Sequence, residues 1–119
     1  MHELAIAQSI VALAEQQAQN RHAAAIEEVE LEIGVLAGVD VKALDFAMKS
    51  SVKGTLMENA RIVRHDIAGE GRCGDCANVF PVNRLFENCP ACGSYAVNIL
   101  KGKELRMKSI VMATIGLQP

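Results

Sequence analysis

Two Cys-x-x-Cys pairs constrain this chain more than any other feature of its sequence. Cys73 and Cys76 form the first pair and Cys89 and Cys92 form the second, with twelve residues between the inner cysteines and no cysteine elsewhere. Each pair places two thiolates on one turn, and the loop between the pairs is long enough to fold back, so this spacing predicts one tetrahedral thiolate metal site. Gly93 permits a left-handed turn that aims amide N–H groups at the sulfur atoms.

Zinc is the expected metal of this site, and its expected role is structural. An ion held by four thiolates has no open coordination position for a substrate. The same cysteines would also suit a single iron ion in an iron or thiol-redox protein, which is an alternative that the spacing leaves open. Colour separates the two, because an iron–thiolate protein is red and a zinc protein is colourless.

The composition excludes several classes of protein. No segment approaches the roughly 18–20 apolar residues of a membrane span, and the N-terminus lacks the basic and apolar regions of a signal peptide. We therefore expect a cytoplasmic protein with no membrane partner, in which the cysteines stay reduced. The formal net charge of −2 gives no general attraction to nucleic acid.

Hydrophobic periodicity predicts four elements before the cysteines. Apolar residues at helical spacing predict a first helix from Glu3 to about Arg21. Alternating apolar residues predict a strand over Ile26–Val35, and a weaker alternation predicts another over Ala60–Ile67. Between these strands, Asp40 is a suitable N-cap for a second helix that Gly54 closes.

The cysteine-containing segment differs in amino-acid composition from the rest of the chain. Residues 69–103 are rich in glycine, asparagine and proline, and we interpret them as an inserted zinc ribbon with Phe80 and Phe86 as its small core. A strand over 104–115 follows, and because it is apolar on both sides we expect it to be central or covered.

The C-terminal strand must return to the N-terminal strands, which cannot bury their apolar faces alone. The predicted fold class is therefore α+β, with a small three-stranded sheet carrying two helices on one face and an inserted four-cysteine ribbon. The predicted domains are 1–68 with 104–119, which form the main α+β domain, and 69–103, which form the ribbon.

The first three residues offer a second metal site of different character. The α-amine of Met1, which is retained because His2 is bulky, can bind one ion together with the amide nitrogen and imidazole Nδ1 of His2. Glu3 or a group from elsewhere would complete a square plane, which suits nickel(II) or copper(II) and does not suit zinc. A histidine near a terminus is also commonly an ordinary solvated side chain, and these residues alone leave both interpretations open.

The motifs at the two ends of the chain occur together in one known family. The start Met1-His2-Glu3-Leu4, the helix containing Ser9-Ile10, the segment Glu30-Leu-Glu-Ile-Gly34 and the two late cysteine pairs occur in this order. This combination covers essentially the whole chain and closely resembles the HypA/HybF family of hydrogenase nickel-insertion proteins.

The resemblance implies a nickel metallochaperone that passes nickel(II) toward the large subunit of a [NiFe]-hydrogenase. It implies that His2 is the indispensable nickel ligand, Glu3 an accessory ligand or orienting neighbour, and the four cysteines the ligands of structural zinc. It also implies a GTPase partner and, in some organisms, a part in urease maturation. The ribbon carries no histidine between its knuckles, so Asp40 is the alternative nickel neighbour, although its N-cap role is the favoured one.

Two other function classes were weighed against nickel delivery. A zinc ribbon that acts only as a nucleic-acid or protein-interaction module is the alternative, but the ribbon lacks basic residues interleaved with aromatics. Enzymatic catalysis has no support, because the sequence contains no Ser/His/Asp set and no phosphate-binding glycine loop. The oligomeric state stays open at the level of sequence.

Two surface features could serve a partner protein. A basic group near the end of the ribbon could meet an acidic partner, although alternating charges on a strand usually mark a solvated face. The broad apolar surface of the first helix is the second feature, and such a face usually packs on its own sheet. The basic group comprises Lys101, Lys103, Arg106 and Lys108.

Overall fold

The computed structural model describes residues 2–114 of the chain. In this part the chain forms two α-helices and six β-strands. In order they are α1 (Glu3–Asn20), β1 (Ala23–Gly34), α2 (Val41–Ser51), β2 (Arg61–Ile67), β3 (Glu70–Cys73), β4 (Val79–Pro81), β5 (Val97–Lys101) and β6 (Leu105–Thr114). No helix of residues 2–114 is both long enough and apolar enough to cross a membrane.

The strands form two three-stranded sheets, one in the order β2-β1-β6 and one in the order β4-β3-β5. Two helices, a small sheet of three strands and a four-cysteine ribbon confirm the predicted α+β class. The expectation that the last strand is central or covered is wrong, because β1 is the middle strand, β6 lies at an edge and no residue of β6 is buried. Residue 115, which the prediction included in that strand, lies outside the described part.

Small side chains on α1 and branched side chains on β1 supply much of the core. The buried face of α1 consists of Ala7, Val11, Ala14 and Ala18. Their spacing of three and four residues keeps them on one side of the helix. On β1 the alternation buries Val29, Leu31 and Ile33, as predicted. The alternation then ends, since Val35 is 52% exposed and Leu36 is buried instead.

The chain divides into two compact units. The first, which we call the helical unit, comprises Met1–Leu31, Val39–Val63 and Met107–Pro119 and contains both helices. The second, which we call the ribbon unit, comprises Glu32–Gly38 and Arg64–Arg106 and contains all four cysteines.

The core of the ribbon unit differs from the predicted pair of phenylalanines. Phe80 is buried as expected, but Phe86 is 90% exposed and has a positive φ of 68°. The prediction for Phe86 is therefore wrong, because its left-handed backbone turns the ring outward. Apolar contacts come instead from Val82 and from Leu36, which reaches this core from the end of β1. The remaining buried members are two of the cysteines, Cys73 and Cys89.

Candidate metal centres

The four cysteine sulfur atoms converge on one point. All four Sγ atoms lie within 4.8 Å of one another. The Sγ atoms of Cys73 and Cys92 are 3.5 Å apart, and those of Cys76 and Cys89 are 3.6 Å apart. A tetrahedral zinc ion with Zn–S bonds of about 2.3 Å separates its sulfur ligands by about 3.8 Å. The arrangement therefore fits a four-thiolate zinc ion after changes of about 1 Å or less in the sulfur–sulfur distances.

The first knuckle is a tight turn that points backbone N–H groups at its leading sulfur. The N–H groups of Asp75 and Cys76 each donate to Cys73 Sγ at 3.4 Å. The turn is closed by two backbone bonds, from Ala77 N–H to the Cys73 carbonyl at 3.0 Å and from Cys73 N–H to the Asn78 carbonyl at 2.9 Å. These donors stabilise a thiolate at Cys73 and fix its direction.

The second knuckle repeats this pattern of bonds. Gly93 N–H donates to the Cys89 carbonyl and Cys89 N–H donates to the Ser94 carbonyl, both at 2.8 Å. The N–H groups of Ala91 and Cys92 donate to Cys89 Sγ. Sequence reasoning found the four ligands and the role of Gly93 but did not name the amide donors. The Cys-x-x-Cys spacing was the signal for these donors, because the N–H groups of the third and fourth residues of each turn face the first sulfur.

The two cysteines of each knuckle differ in burial and in the direction in which their pKa is shifted. The leading cysteines, Cys73 and Cys89, are buried, whereas Cys76 and Cys92 are exposed. Burial alone raises the pKa of Cys89, but the N–H donors of its knuckle and the neighbouring thiols outweigh burial and lower that pKa to about 6. A backbone N–H lowers the pKa of Cys92, but the neighbouring thiols and burial raise it to about 12. The backbone donors of each knuckle therefore favour the thiolate form of its leading cysteine.

A glycine in one knuckle and an alanine in the other provide a test of backbone strain. Gly93 and Ala77 occupy equivalent left-handed positions, with φ values of 78° and 63°. We expect Gly93→Ala to lower the stability of the zinc-loaded protein by about 1 kcal/mol, because alanine strains a left-handed backbone. Nothing lies within 4 Å of the added Cβ, so no clash contributes. The change is measured from the midpoint of urea unfolding.

Ala77→Gly is the reciprocal control for this prediction. It relieves the same strain while adding freedom to the unfolded chain, so we expect no loss of stability beyond about 0.5 kcal/mol. A larger loss from Ala77→Gly than from Gly93→Ala would contradict the proposed origin of the effect.

The start of α1 presents His2 to solvent. His2 is the N-cap residue of α1 and is exposed, and its side chain makes no capping bond. Its carbonyl accepts a hydrogen bond from Ile6 N–H at 3.1 Å. The first N–H groups of a helix have no acceptor inside the helix, so the amide of His2 is not committed to the helical ladder. Met1, the other predicted member of this site, lies outside the described residues.

A hydrogen bond links the Glu3 carboxylate to the backbone at the start of α2. The backbone N–H of Asp40 donates to Glu3 Oε2 at 3.0 Å. This bond is the main cause of a lowered pKa at the Glu3 carboxyl group, with a smaller contribution from the backbone N–H of Glu3 itself. Sequence reasoning named both residues but did not predict this bond, because no local signal pairs positions so far apart.

Asp40 acts as the N-cap of α2, as the sequence predicted. Its Oδ1 atom accepts from Lys42 N–H and from Ala43 N–H, both at 3.1 Å. Asp40 thus satisfies two free amides of α2 with its side chain. Its own amide binds Glu3, so the starts of α1 and α2 are tied together inside the helical unit.

The Glu3 contact gives a pH prediction. Because the folded state lowers the pKa of Glu3, the ionised carboxylate adds stability at neutral pH, and this addition is lost as pH falls through the folded pKa. We expect Glu3→Gln to be less stable than the wild type at pH 7 and to approach it in acid, below about pH 4. The measurement is the unfolding midpoint of both proteins across this range. Glu27→Gln, which removes one carboxylate from an exposed position of β1, is the matched control for the change in net charge.

Taken together, the fold and the sulfur cluster define a small α+β metal-binding protein with a four-thiolate ribbon. The comparisons with known proteins then identify its family. A family model described as hydrogenase/urease nickel incorporation, metallochaperone, HypA, matches residues 1–112. The chain belongs to the HypA family of metallochaperones.

Relatives and solved structures agree with this membership. The hydrogenase maturation factor HypA of Parabacteroides distasonis is 62% identical over 112 residues, covering 94% of this chain and 97% of the relative. That of Geobacter sulfurreducens is 44% identical, covering 92% and 97%. The solution structure of the nickel metallochaperone HypA from Helicobacter pylori has a TM-score of 0.70 and 32% identity, covering 96% of this chain and 99% of that chain.

Family membership confirms the predicted resemblance and assigns the two metals. The four-cysteine cluster fits structural zinc, and nickel is the cargo of a metallochaperone for hydrogenase maturation. The alternatives of an iron protein and of a ribbon without nickel delivery are not favoured by these findings.

Proposed function

We propose that the protein binds nickel(II) at the N-terminal residues Met1, His2 and Glu3 and delivers it to the large subunit of a [NiFe]-hydrogenase. The observation that carries this proposal is the exposed His2 at the first position before α1, whose side chain makes no capping bond and whose amide N–H lies outside the helical ladder. A ligand at a chain end also opens readily, which is what transfer of a cargo ion requires.

The ligand set follows from the chemistry of these residues. The Met1 amine, the deprotonated His2 amide and His2 Nδ1 close a five-membered and a six-membered ring on one ion. Nitrogen donors in a square plane suit nickel(II). Because Glu3 Oε2 already accepts from the Asp40 N–H, we assign the Glu3 carboxylate an orienting role. Asp40 is a neighbour of the site whose carboxylate caps α2, rather than a primary ligand.

The two metals have separate domains in this proposal. Residues 1–68 and 104–119 form the nickel-binding domain, and residues 69–103 form the zinc ribbon. Zinc held by Cys73, Cys76, Cys89 and Cys92 stabilises the ribbon and takes no part in chemistry, because four thiolates leave no open position.

Delivery without catalysis is the remaining part of the proposed function. We assign the protein no enzymatic activity, a cytoplasmic location and a GTPase of hydrogenase maturation as its partner, with urease maturation proteins as a further possibility. The partners proposed here include neither nucleic acid nor membrane. The family description and the names of the relatives support the maturation role.

Nickel titration of zinc-loaded protein tests the proposal. Calorimetry and optical absorption are recorded for the wild type and for His2→Ala, with no tag before Met1. We expect one nickel ion with a square-planar spectrum in the wild type, and loss of that site in His2→Ala with zinc content unchanged. His22→Ala is the matched control, since His22 is also exposed and follows the other end of α1. Equal nickel binding by the wild type and His2→Ala would overturn the proposal.

A further inference from the structure

A groove in the helical unit has no role in either metal site. Its volume is about 660 Å³, and one wall consists of Leu13, Gln17 and Arg21. These residues lie at intervals of four along α1 and its C-cap, so they form one ridge on a face of the helix separate from the buried alanines. The ridge begins about 15 Å along the helix axis from Glu3, so the groove is distant from the proposed nickel ligands.

The other wall of the groove is the edge strand β6. Four consecutive residues of this strand, Met107 to Ile110, line the groove together with Met112 and Thr114. A groove above one face of a strand would be lined by alternate residues only, so this groove follows the edge of the strand. Among the described strands β6 pairs with β1 alone, which leaves the backbone N–H and C=O groups of its other edge available for pairing.

The groove combines apolar side chains with uncharged polar groups and two cations. Leu13 is 45% exposed there, and Ile110 and Met112 are partly buried. The charged lining residues are Arg21 and Lys108, both exposed, and neither forms an ion pair within residues 2–114. No carboxylate side chain lines the groove, although the chain as a whole carries a net charge of −2.

We propose that this groove binds an extended segment of a partner protein that carries aliphatic side chains and at least one carboxylate. The segment adds a strand to the free edge of β6, its aliphatic side chains cover Leu13 and Met112, and its carboxylate meets Arg21 or Lys108. A second copy of this chain fits less well, because a two-fold interface brings the same surface to both sides and would oppose the two cations to themselves.

The two cations of the groove differ from the basic group that the sequence predicts near the end of the ribbon. Arg106 belongs to that group, but its guanidinium is bound to Glu32 at 2.6 Å in the ribbon unit. Lys108 is the member of the group that lines the groove, where it joins a cation from a different element. The acidic partner therefore docks against α1 and β6 rather than against the row of charges along the end of the ribbon.

A random twelve-residue peptide library displayed on phage provides the probe. Selection is performed on the zinc-loaded full chain, and an enriched peptide is then synthesised and its affinity measured. We expect enriched sequences that alternate aliphatic and acidic residues. We also expect Arg21→Gln/Lys108→Gln to weaken the enriched peptide by about two- to fivefold, because the exposed charge pair with the peptide carboxylate is lost.

Matched variants separate this contact from general effects. Lys49→Gln/Lys53→Gln removes two exposed cations elsewhere in the helical unit, one also near a helix end, and should leave affinity unchanged. Leu13→Gln should weaken the peptide without changing the far-ultraviolet circular dichroism, because Leu13 is half exposed. Nickel titration of the same variants should match the wild type, which keeps this test independent of the proposed nickel site.

Four results would overturn the proposal. The first is a library that yields no sequence above background, and the second is a set of enriched sequences without acidic residues. The third is equal affinity for the wild type and the Arg21/Lys108 variant. The fourth is a dimeric wild type that Leu13→Gln converts to a monomer in sedimentation, since the groove would then be occupied by a second copy.

Discussion

Cys89→Ser is expected to abolish tight zinc binding and to unfold the ribbon unit, while α1 and α2 remain helical. The buried core of the ribbon unit consists of Leu36, Phe80 and Val82 together with two of the zinc ligands. So few apolar side chains cannot offset the conformational entropy of ordering the segment, and small units of this kind depend on a metal. Zinc binding is therefore part of the folding free energy of the ribbon unit.

The size of the expected effect follows from the position of Cys89. The residue is 1% exposed, and its sulfur accepts hydrogen bonds from two amide N–H groups, which would be left facing a weaker ligand. Loss of a group that only supports a ligand typically lowers metal affinity about 10–100-fold, so loss of the ligand itself should exceed 100-fold. Structural zinc contributes roughly 10–16 kcal/mol in small zinc-finger peptides, which is more than such a unit can lose and stay folded.

Zinc content and amide hydrogen exchange measure this outcome. Amides of β3 and β5 should lose protection in Cys89→Ser, and buried amides of α1 should keep it. Asp75→Asn, a change beside the cluster that leaves all four sulfurs in place, is the control and should retain zinc. Full protection of β3 in zinc-free Cys89→Ser would show that the ribbon folds without its metal.

The parts of this structure that follow from sequence are those with local causes. The N-cap at Asp40 was predictable because the capping oxygen and the amides that it accepts from lie within three residues of each other. The sulfur cluster was predictable for the same reason, since each knuckle is a single turn. The positive φ of Gly93 required only a residue without Cβ at that point.

The parts that could not be predicted depend on contacts distant in sequence. Leu36 joins the core of the ribbon although it precedes the cysteine-rich segment, so composition could not assign it there. The apolar sequence of β6 indicated that both faces of the strand are covered. Coverage of the two faces does not determine whether a strand pairs with one neighbour or with two. Its edge position depends on β1 pairing with both neighbours.

The candidate nickel site was predicted as a set of residues but not as a geometry. The identities of His2 and Glu3 came from the order of residues, and the resemblance supplied their roles. The tie between Glu3 and the amide of Asp40 is a tertiary contact that no periodicity contains. It changes the expected chemistry, because a carboxylate oxygen that already accepts a hydrogen bond is a weaker candidate for the fourth nickel donor.

Adding Gly-Pro-Gly before Met1 is expected to lower nickel affinity by at least about 100-fold while leaving zinc binding and the fold unchanged. Proline has no amide proton, so the new terminus cannot build a nitrogen chelate of its own. The added peptide bond converts the α-amine of Met1 into an amide and displaces the five-membered chelate ring, yet it alters no side chain. Loss of a direct donor should exceed the roughly 10–100-fold cost of losing a supporting group. Nickel calorimetry on zinc-loaded protein measures the change, and Gly-Pro-Gly added after Pro119 is the matched control.

Combining this extension with His2→Ala distinguishes one chelate from two independent ligands. Donors that act on the same ion are coupled, so their losses do not add. We expect the extended His2→Ala protein to bind nickel no more weakly than either single variant, because each change alone already dismantles the chelate. If the two losses add in free energy, the amine and the imidazole bind nickel separately, and the terminal chelate is not the site from which nickel is delivered.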